Sequence, residues 1–388
     1  MTEGGTTRIT RATRAGLAWD QQHHSVVPPI YLSTTYAWQN LGESSGHEYS
    51  RSSNPTRSLL ADAIADLEGG AGAEITASGM AAITTVVAAY APGGSLVAIP
   101  HDCYGGTWRL FHALAAKGQF EVAYVDFGDP AATAALWERR PSLVLLESPS
   151  NPLLRITDLA GTIDAAHAVG AMVVVDNTFL SPALQRPIGL GADIVVHSTT
   201  KFLNGHSDVV GGAVVGATEE IATQLRWWAN CLGTPGGAFD AYLTLRGLRT
   251  LGVRMKAHCE NAQELAELLA QHPAVKAVHY PGLHDHPGHD LARSQQDGFG
   301  AMLSFELADL SAAKRCLKGL TCFSLAESLG GVESLICHPA SMTHAAMPPD
   351  VQAAAGITEG MLRVAVGIEQ IDDLVADLRA GLDRALRS

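Results

Sequence analysis

The sequence predicts an α/β protein: a large domain on a mostly parallel, three-layer central sheet, with an N-terminal arm and a smaller C-terminal α+β domain. Three observations carry this. Five short β-branched runs are apolar on both faces: "SLVAIP" (95–100), "FEVAYVD" (120–126), "SLVLLE" (142–147), "AMVVVD" (171–176) and "ADIVVHS" (192–198). Strands that read this way are covered by helices on each side, as parallel strands are. A helical segment, "TDLAGTIDAAHAVG" (157–170), intervenes between two of them, and beyond about residue 250 the pattern turns mostly helical.

Taken in order, residues 1–55 join the apolar "PPIYLSTTYAW" to the polar "GESSGHEYSRSSNP", which suits an arm that docks elsewhere better than a core. "TRSLLADAIADLEGG" sets Leu60, Ile64 and Leu67 at helical spacing and stops at Gly69–Gly70. "SGMAAITTVVAAYAPGG" predicts a buried helix entered from a turn of small residues. The strand runs follow, and then "RMKAHCENAQELAELLAQ", "AVKAVHYPG", "AMLSFELAD" and a final amphipathic "IDDLVADLRAGLDRAL". The expected divisions are an arm over 1–55, a large domain over 56–250 and a C-terminal domain over 251–388.

Composition narrows the function classes. A hydrophobic fraction of 47% over 388 residues provides ample core. A formal net charge of -13 disfavours nucleic acid as a partner. No twenty-residue uncharged apolar run predicts a membrane span, and the opening "MTEGGTTRITRATRAG" lacks the apolar core of a secretory signal. The six cysteines form no CxxC pair, so reduced thiols and a cytoplasmic location are expected. No Walker-type loop or dinucleotide fingerprint is present. His197 and His206 straddle Lys201, and His338 and His344 lie far along the chain, without the spacing of a metal site. Packing, loop hydrogen bonding and pocket lining remain open for them.

The chemistry gathers at strand ends, where α/β sheets keep their sites. "ESPSNP" offers Asn151, "DNTF" begins with Asp176, and "HSTTK" brings Ser198, Thr200 and Lys201. Each has an ordinary reading: a surface lysine, an aspartate that caps a turn. Together they suit pyridoxal phosphate. An amine joins its aldehyde, a buried aspartate keeps its ring nitrogen protonated, and hydroxyls with helix N-terminal N–H groups at Gly79 and Met80 hold its phosphate. Tyr104 supplies an aromatic to stack on the ring. Arg363, flanked by apolar residues in "GMLRVAVGIE", suits a substrate carboxylate or a salt bridge between domains. Tyr49 and Arg51, in the arm, suit a phosphate clamp on a neighbouring subunit or pairing within the chain, and Arg109 is a further candidate for an anion.

The motifs "EYSRSSNPTR", "ASGMAAI", "PHDCYGGTWRLF", "ESPSNPLLRI", "VVDNTFLSPALQ", "HSTTKFLNGHSDVVGG" and "LAESLGGVESLICHPASMTHAAM" resemble those of the Cys/Met-metabolism, trans-sulfuration branch of fold-type I pyridoxal-phosphate enzymes. The resemblance runs from about residue 25 to the end of the chain. It implies that Lys201 binds the cofactor, Asp176 pairs with its ring nitrogen, and Tyr104 stacks on it and takes part in proton transfer. Gly79, Met80, Ser198 and Thr200 match the phosphate-binding positions, with Tyr49 and Arg51 reaching in from an adjacent subunit. Arg363 matches the α-carboxylate clamp, assisted by Asn151 and Ser328, while Glu48, Arg109, Asn230 and Glu327 resemble substrate-side positions. The implied assembly is a homotetramer of active dimers. The implied reaction, in methionine biosynthesis, is γ-replacement of the acyl group of an O-acyl-L-homoserine, the succinyl ester foremost, by L-cysteine. The alternatives within the branch are a γ-lyase that cleaves cystathionine and an O-acylhomoserine sulfhydrylase.

Overall fold

A computed structural model describes residues 6–387. Its first elements, in chain order, are α1 (Arg8–Thr13), α2 (Pro55–Glu68), β1 (Gly72–Thr76), α3 (Gly79–Tyr90), β2 (Leu96–Pro100), α4 (Gly105–Ala116), β3 (Glu121–Val125), α5 (Pro130–Glu138) and β4 (Leu143–Glu147). There follow α6 (Leu159–Ala168), β5 (Met172–Asp176), α7 (Ser181–Leu184), β6 (Ile194–His197), β7 (Gly212–Gly216), α8 (Glu219–Leu232), α9 (Ala238–Leu248) and α10 (Leu251–Gln271). The last are β8 (Ala277–His279), α11 (His289–Gln295), β9 (Met302–Glu306), α12 (Leu310–Leu317), β10 (Ser324–Leu325), β11 (Leu335–Cys337), α13 (Pro349–Ala355), β12 (Met361–Ala365) and α14 (Ile371–Ala385). The chain has an α/β fold with a mostly parallel central sheet, an N-terminal arm and a smaller C-terminal α+β part, as the sequence predicts. Among the described residues no helix is long and apolar enough to cross a membrane.

Two compact units divide the chain: Met1–Pro92 with Met172–Gly252, and Gly93–Ala171 with Val253–Ser388. In the first, α2 starts where Asn54 accepts hydrogen bonds from the N–H groups of Thr56 and Arg57, with Pro55 in its first turn. It buries Leu60, Ile64 and Leu67, the stripe that the spacing predicts. The strands lie in the order β1-β7-β6-β5. β5 and β6 are parallel, with Asp176 opposite Val196, whereas β7 is antiparallel to both β6 and β1. The parallel pair brings the carboxyl ends of β5 and β6 to one edge, where Asp176 and His197 sit. Among its described residues the arm carries α1 and the isolated bridges Thr35 to Tyr49 and Asn40 to Glu43, and leaves Val26, Leu32, Trp38 and Leu41 exposed.

In the second unit β4, β2 and β3 are parallel, Val97 facing Leu143 and Leu96 facing Glu121. β3 departs from the expectation of two apolar faces. It lies at the edge of the sheet, with β2 its one strand neighbour among the described residues, and Glu121 and Tyr124 are exposed. The C-terminal sheet has the order β10-β11-β12-β9-β8, antiparallel except for β10 and β11. Leu265 and Leu269 of α10 and Leu374, Leu378 and Leu382 of α14 pack with Phe305 and Leu362 of that sheet.

The five strand runs of the sequence form strands within one or two residues of their expected bounds. β1 and β7 lie outside them because their glycines hide the strand pattern. At Gly212 the reason is a close approach: a Cβ there would lie 2.2 Å from the carbonyl oxygen of Ser78. Steric need, and not strand propensity, selects the residue.

Candidate active site

The lysine-bearing segment is anchored on both flanks. Lys201 N–H donates to the Ser198 carbonyl at 3.2 Å, and Gly205 N–H donates to the Lys201 carbonyl at 2.8 Å. The Thr200 hydroxyl donates to the Gly211 carbonyl at 3.2 Å and accepts from the Gly211 N–H at 2.9 Å. Beyond it, a Cβ at Gly247 would lie 2.0 Å from the Asn204 carbonyl oxygen, so α9 packs against this segment backbone to backbone.

The start of α3 meets the same segment. Ser78 caps the helix by accepting from Ala81 N–H at 3.1 Å. The N–H groups of Gly79 and Met80, in the first turn, have no intrahelical acceptor. A Cβ at Gly79 would lie 2.9 Å from the Ser198 Cβ, so only glycine lets the helix N-terminus reach the Ser198 backbone. Two free amides and the Ser198 hydroxyl at the positive end of a helix form a cradle for a phosphate.

Asp176 ends β5. Burial pushes its carboxyl above the usual carboxylate range, opposed by hydrogen bonds from Thr178 and by the nearby His197 imidazole. Thr178 N–H donates to Asp176 Oδ1 at 3.0 Å, and the Thr178 hydroxyl accepts from Ser198 N–H at 2.9 Å. Thr178 thereby links the aspartate to the phosphate cradle. Further in, Glu68 accepts from His197 Nε2 at 2.6 Å and from Asn177 Nδ2 at 2.8 Å, and all three side chains are buried. A carboxylate beside an amine-bearing segment and a helix N-terminus is the donor set that pyridoxal phosphate requires, and these residues fit it.

The arm residues form their own cluster. Arg51 donates from Nη1 to the carbonyl and to Oδ1 of Asn230, each at 2.8 Å, and its guanidinium lies 5.7 Å from the Tyr49 ring centre. Tyr49 and Arg51 line a cavity of about 400 Å³ together with Ser33 and Arg57. Glu48 is exposed, its carbonyl accepting from Tyr36 N–H at 3.0 Å. Cys231, beside Asn230, is an exposed free thiol.

In the second unit Tyr104 precedes α4 with its ring partly exposed, and its N–H donates to Glu147 Oε2 at 3.0 Å. Arg109 is exposed on α4. Arg363, on β12, is 3% exposed. Its Nη1 donates to Asn151 Oδ1 at 2.9 Å and its Nη2 to the Ser328 carbonyl at 3.0 Å, while Nε has no partner. Ser328 adopts a left-handed φ of 87°, a strained conformation for a residue with a Cβ. Glu327 is exposed and makes no ion pair with Arg363 among the described residues. The Asn151 and Ser328 acceptors are both neutral carbonyl oxygens, and the nearby Cys337 thiol is neutral as well. A buried cation without a carboxylate partner is costly, and an incoming anion relieves that cost.

The histidines act chiefly through hydrogen bonds. His206 Nδ1 donates to the Asn204 carbonyl, His338 bridges the Ser341 hydroxyl and the Glu359 carbonyl, and His344 reaches the Asn151 carbonyl. Among the described residues no group of three or more His, Cys, Asp or Glu side chains is placed to hold a metal ion. Glu68, Thr178, Glu147 and His344 were not legible as supports of the site. Each meets a partner across at least twenty residues, Thr178 through Ser198, and no motif spacing encodes that.

The profile of the family described as "Cys/Met metabolism PLP-dependent enzyme" matches residues 9–383. The chain is 54% identical to the cystathionine gamma-synthase of Escherichia coli over 379 residues, covering 97% of this chain and 98% of that protein. It is 46% identical to the cystathionine beta-lyase of Coxiella burnetii, covering 96% and 97%. A crystal structure of cystathionine gamma synthase from Xanthomonas oryzae pv. oryzae in complex with cystathionine superposes with a TM-score of 0.97 at 57% identity, covering 98% of this chain and 99% of that one. With cradle, lysine and aspartate in place and the match running nearly end to end, the chain belongs to the Cys/Met-metabolism family of pyridoxal-phosphate-dependent enzymes.

Proposed function

We propose that the protein exchanges the succinyl group of O-succinyl-L-homoserine for L-cysteine, giving L-cystathionine and succinate. The observation that carries the reading is Arg363: a buried guanidinium held by neutral carbonyls, with an unsatisfied Nε, suits an amino acid's α-carboxylate. Higher identity to the gamma-synthases of Escherichia coli and Xanthomonas oryzae than to the beta-lyase of Coxiella burnetii favours replacement over cleavage.

Pyridoxal phosphate, when bound, supplies an aldehyde for the amine and a ring that takes up electrons from Cα. Gly79 and Met80 N–H groups and the Ser198 hydroxyl would hold its phosphate, the Thr200 hydroxyl joining them on turning from the Gly211 carbonyl, with Tyr49 and Arg51 contributed by a neighbouring copy. Asp176 would keep the proton on the ring nitrogen, and the Tyr104 ring would supply an aromatic to stack on the cofactor. The Lys201 amine holds the cofactor at rest. Once released, it removes the substrate's Cα proton and then serves Cβ, which makes the γ-acyloxy group expellable as succinate. The cysteine sulfur bonds to Cγ in its place, and protons return to Cβ and Cα. Asn151 and Ser328 orient the Arg363 fork, and Glu48, Arg109, Asn230 and Glu327 face the rest of the substrates. A cytoplasmic homotetramer of active dimers is the assembly that goes with this reading.

A paired product assay tests it. Cofactor-loaded protein is given O-succinyl-L-homoserine with and without L-cysteine, and separately cystathionine alone. Cysteine-dependent cystathionine formation is the expected result. Faster release of cysteine, ammonia and 2-oxobutanoate from cystathionine would overturn the reading in favour of a γ-lyase.

A further inference from the structure

His344 lies in the segment after β11, whose last residue, Cys337, is in register with Arg363 on β12. Its side chain is fully buried. Nε2 lies 3.0 Å from the Asn151 carbonyl oxygen, and Nδ1 lies 2.9 Å from the Thr343 hydroxyl. Since a carbonyl only accepts, Nε2 carries the proton, and the Thr343 hydroxyl donates to Nδ1. The imidazole is therefore neutral and fixed in one tautomer. Burial and the neighbouring Arg363 charge both favour that state.

Asn151 is consequently gripped at two points. His344 holds its carbonyl, and its side-chain oxygen accepts from Arg363 Nη1 at 2.9 Å. The segment bearing His344 has little freedom. Gln352 Nε2 donates to the His344, Ala340 and Met347 carbonyls at 2.9, 3.2 and 3.1 Å. A Cβ at Gly105 would lie 2.6 Å from the Thr343 carbonyl oxygen, so the segment also presses on the first turn of α4.

We propose that His344 is a positioning residue, holding Asn151 and through it the Arg363 fork in the orientation that receives a substrate α-carboxylate. The inference rests on the reading of Arg363 as the carboxylate site. Its test separates the carboxylate from the rest of the ligand. Cofactor-loaded protein is titrated with L-2-aminobutyrate and with propylamine, the same skeleton without the carboxylate, and binding is followed by the absorbance change. His344→Leu is expected to weaken L-2-aminobutyrate about tenfold, the loss of one buried hydrogen bond, and to leave propylamine unchanged. His344→Gln keeps an N–H donor and stays within about threefold of the parent. Equal weakening of both ligands by His344→Leu, or of neither, overturns the proposal. Arg363→Ala is the control: if it spares L-2-aminobutyrate, the carboxylate reading falls, and the proposal with it. If Arg363→Ala discriminates and His344→Leu does not, only the role of His344 falls. Should His344→Leu fail to fold, Thr343→Val frees the ring from its tautomer and puts the same question, with the same two outcomes.

Discussion

Replacing Arg363 by methionine separates a residue that serves ligand binding from one that serves the fold. The substitution keeps an apolar stem of similar length and removes the charge. In the ligand-free protein two effects oppose each other. Two hydrogen bonds from a charged donor, to Asn151 at 2.9 Å and Ser328 at 3.0 Å, are lost, at about 1.5–3 kcal/mol each. Against this, an unpaired guanidinium only 3% exposed no longer has to be kept out of water, a relief of roughly several kcal/mol. The expected net change in unfolding free energy is within about 2 kcal/mol. With substrate bound there is no compensation, because the fork to the carboxylate is gone. The expected loss in kcat/KM is about 2–4 kcal/mol, roughly 30- to 1000-fold. Urea melts of the unloaded protein and initial rates with O-succinyl-L-homoserine and L-cysteine measure the two quantities. A stability loss above about 4 kcal/mol with less than about a tenfold fall in kcat/KM would make Arg363 a structural bridge and refute the reasoning.

Further expectations follow from the other contacts. Gly79→Ala forces α3 away from Ser198, where a Cβ would meet the Ser198 Cβ at 2.9 Å. Its pyridoxal-phosphate dissociation constant, read by fluorescence titration of the apo protein, should rise about tenfold or more as one phosphate-binding amide is displaced. Lys201→Ala should lose the near-visible absorbance of the loaded protein, and borohydride reduction of the parent followed by peptide mapping should find the label at residue 201. Glu68→Ala leaves buried His197 and Asn177 without their shared acceptor, and urea melts should record a loss of about 3–5 kcal/mol. His344 is pushed down to about 4, mainly by burial and then by Arg363. The unfolded chain, at about 6.5, then binds the proton more tightly, so this residue's contribution is intact above that pH and declines as pH falls toward 4. His344→Gln should make the acid loss across that window shallower by about 3 kcal/mol, as read from urea melts at a series of pH values.

The sequence made the strands of the large domain readable wherever burial on both faces imposed an apolar, β-branched run, as at "SLVLLE" and "AMVVVD". It hid β1 and β7, because Gly212 answers to the Ser78 carbonyl and not to strand propensity. Among the candidate site residues, Asp176, Ser198, Thr200 and Lys201 stand out in the sequence because strand ends concentrate chemistry at one edge of a sheet. Arg363 stood out as a cation among apolar neighbours, yet only the three-dimensional structure shows that no carboxylate among the described residues pairs with it. His344 was one histidine among 16 until its ring proved to lie 3.0 Å from a carbonyl 193 residues away.

The glycine contacts around the lysine have a consequence for how this enzyme can change. At Gly79 and Gly247 a single added methyl would collide with Ser198 and Asn204, which flank residue 201, and at Gly212 with the Ser78 carbonyl at the start of α3. New specificities are therefore expected to arise elsewhere, on exposed surfaces such as Glu48, Arg109 and Glu327, where side chains can be exchanged without shifting the amine. Relatives can diverge in what they convert while the reactive nitrogen keeps its address.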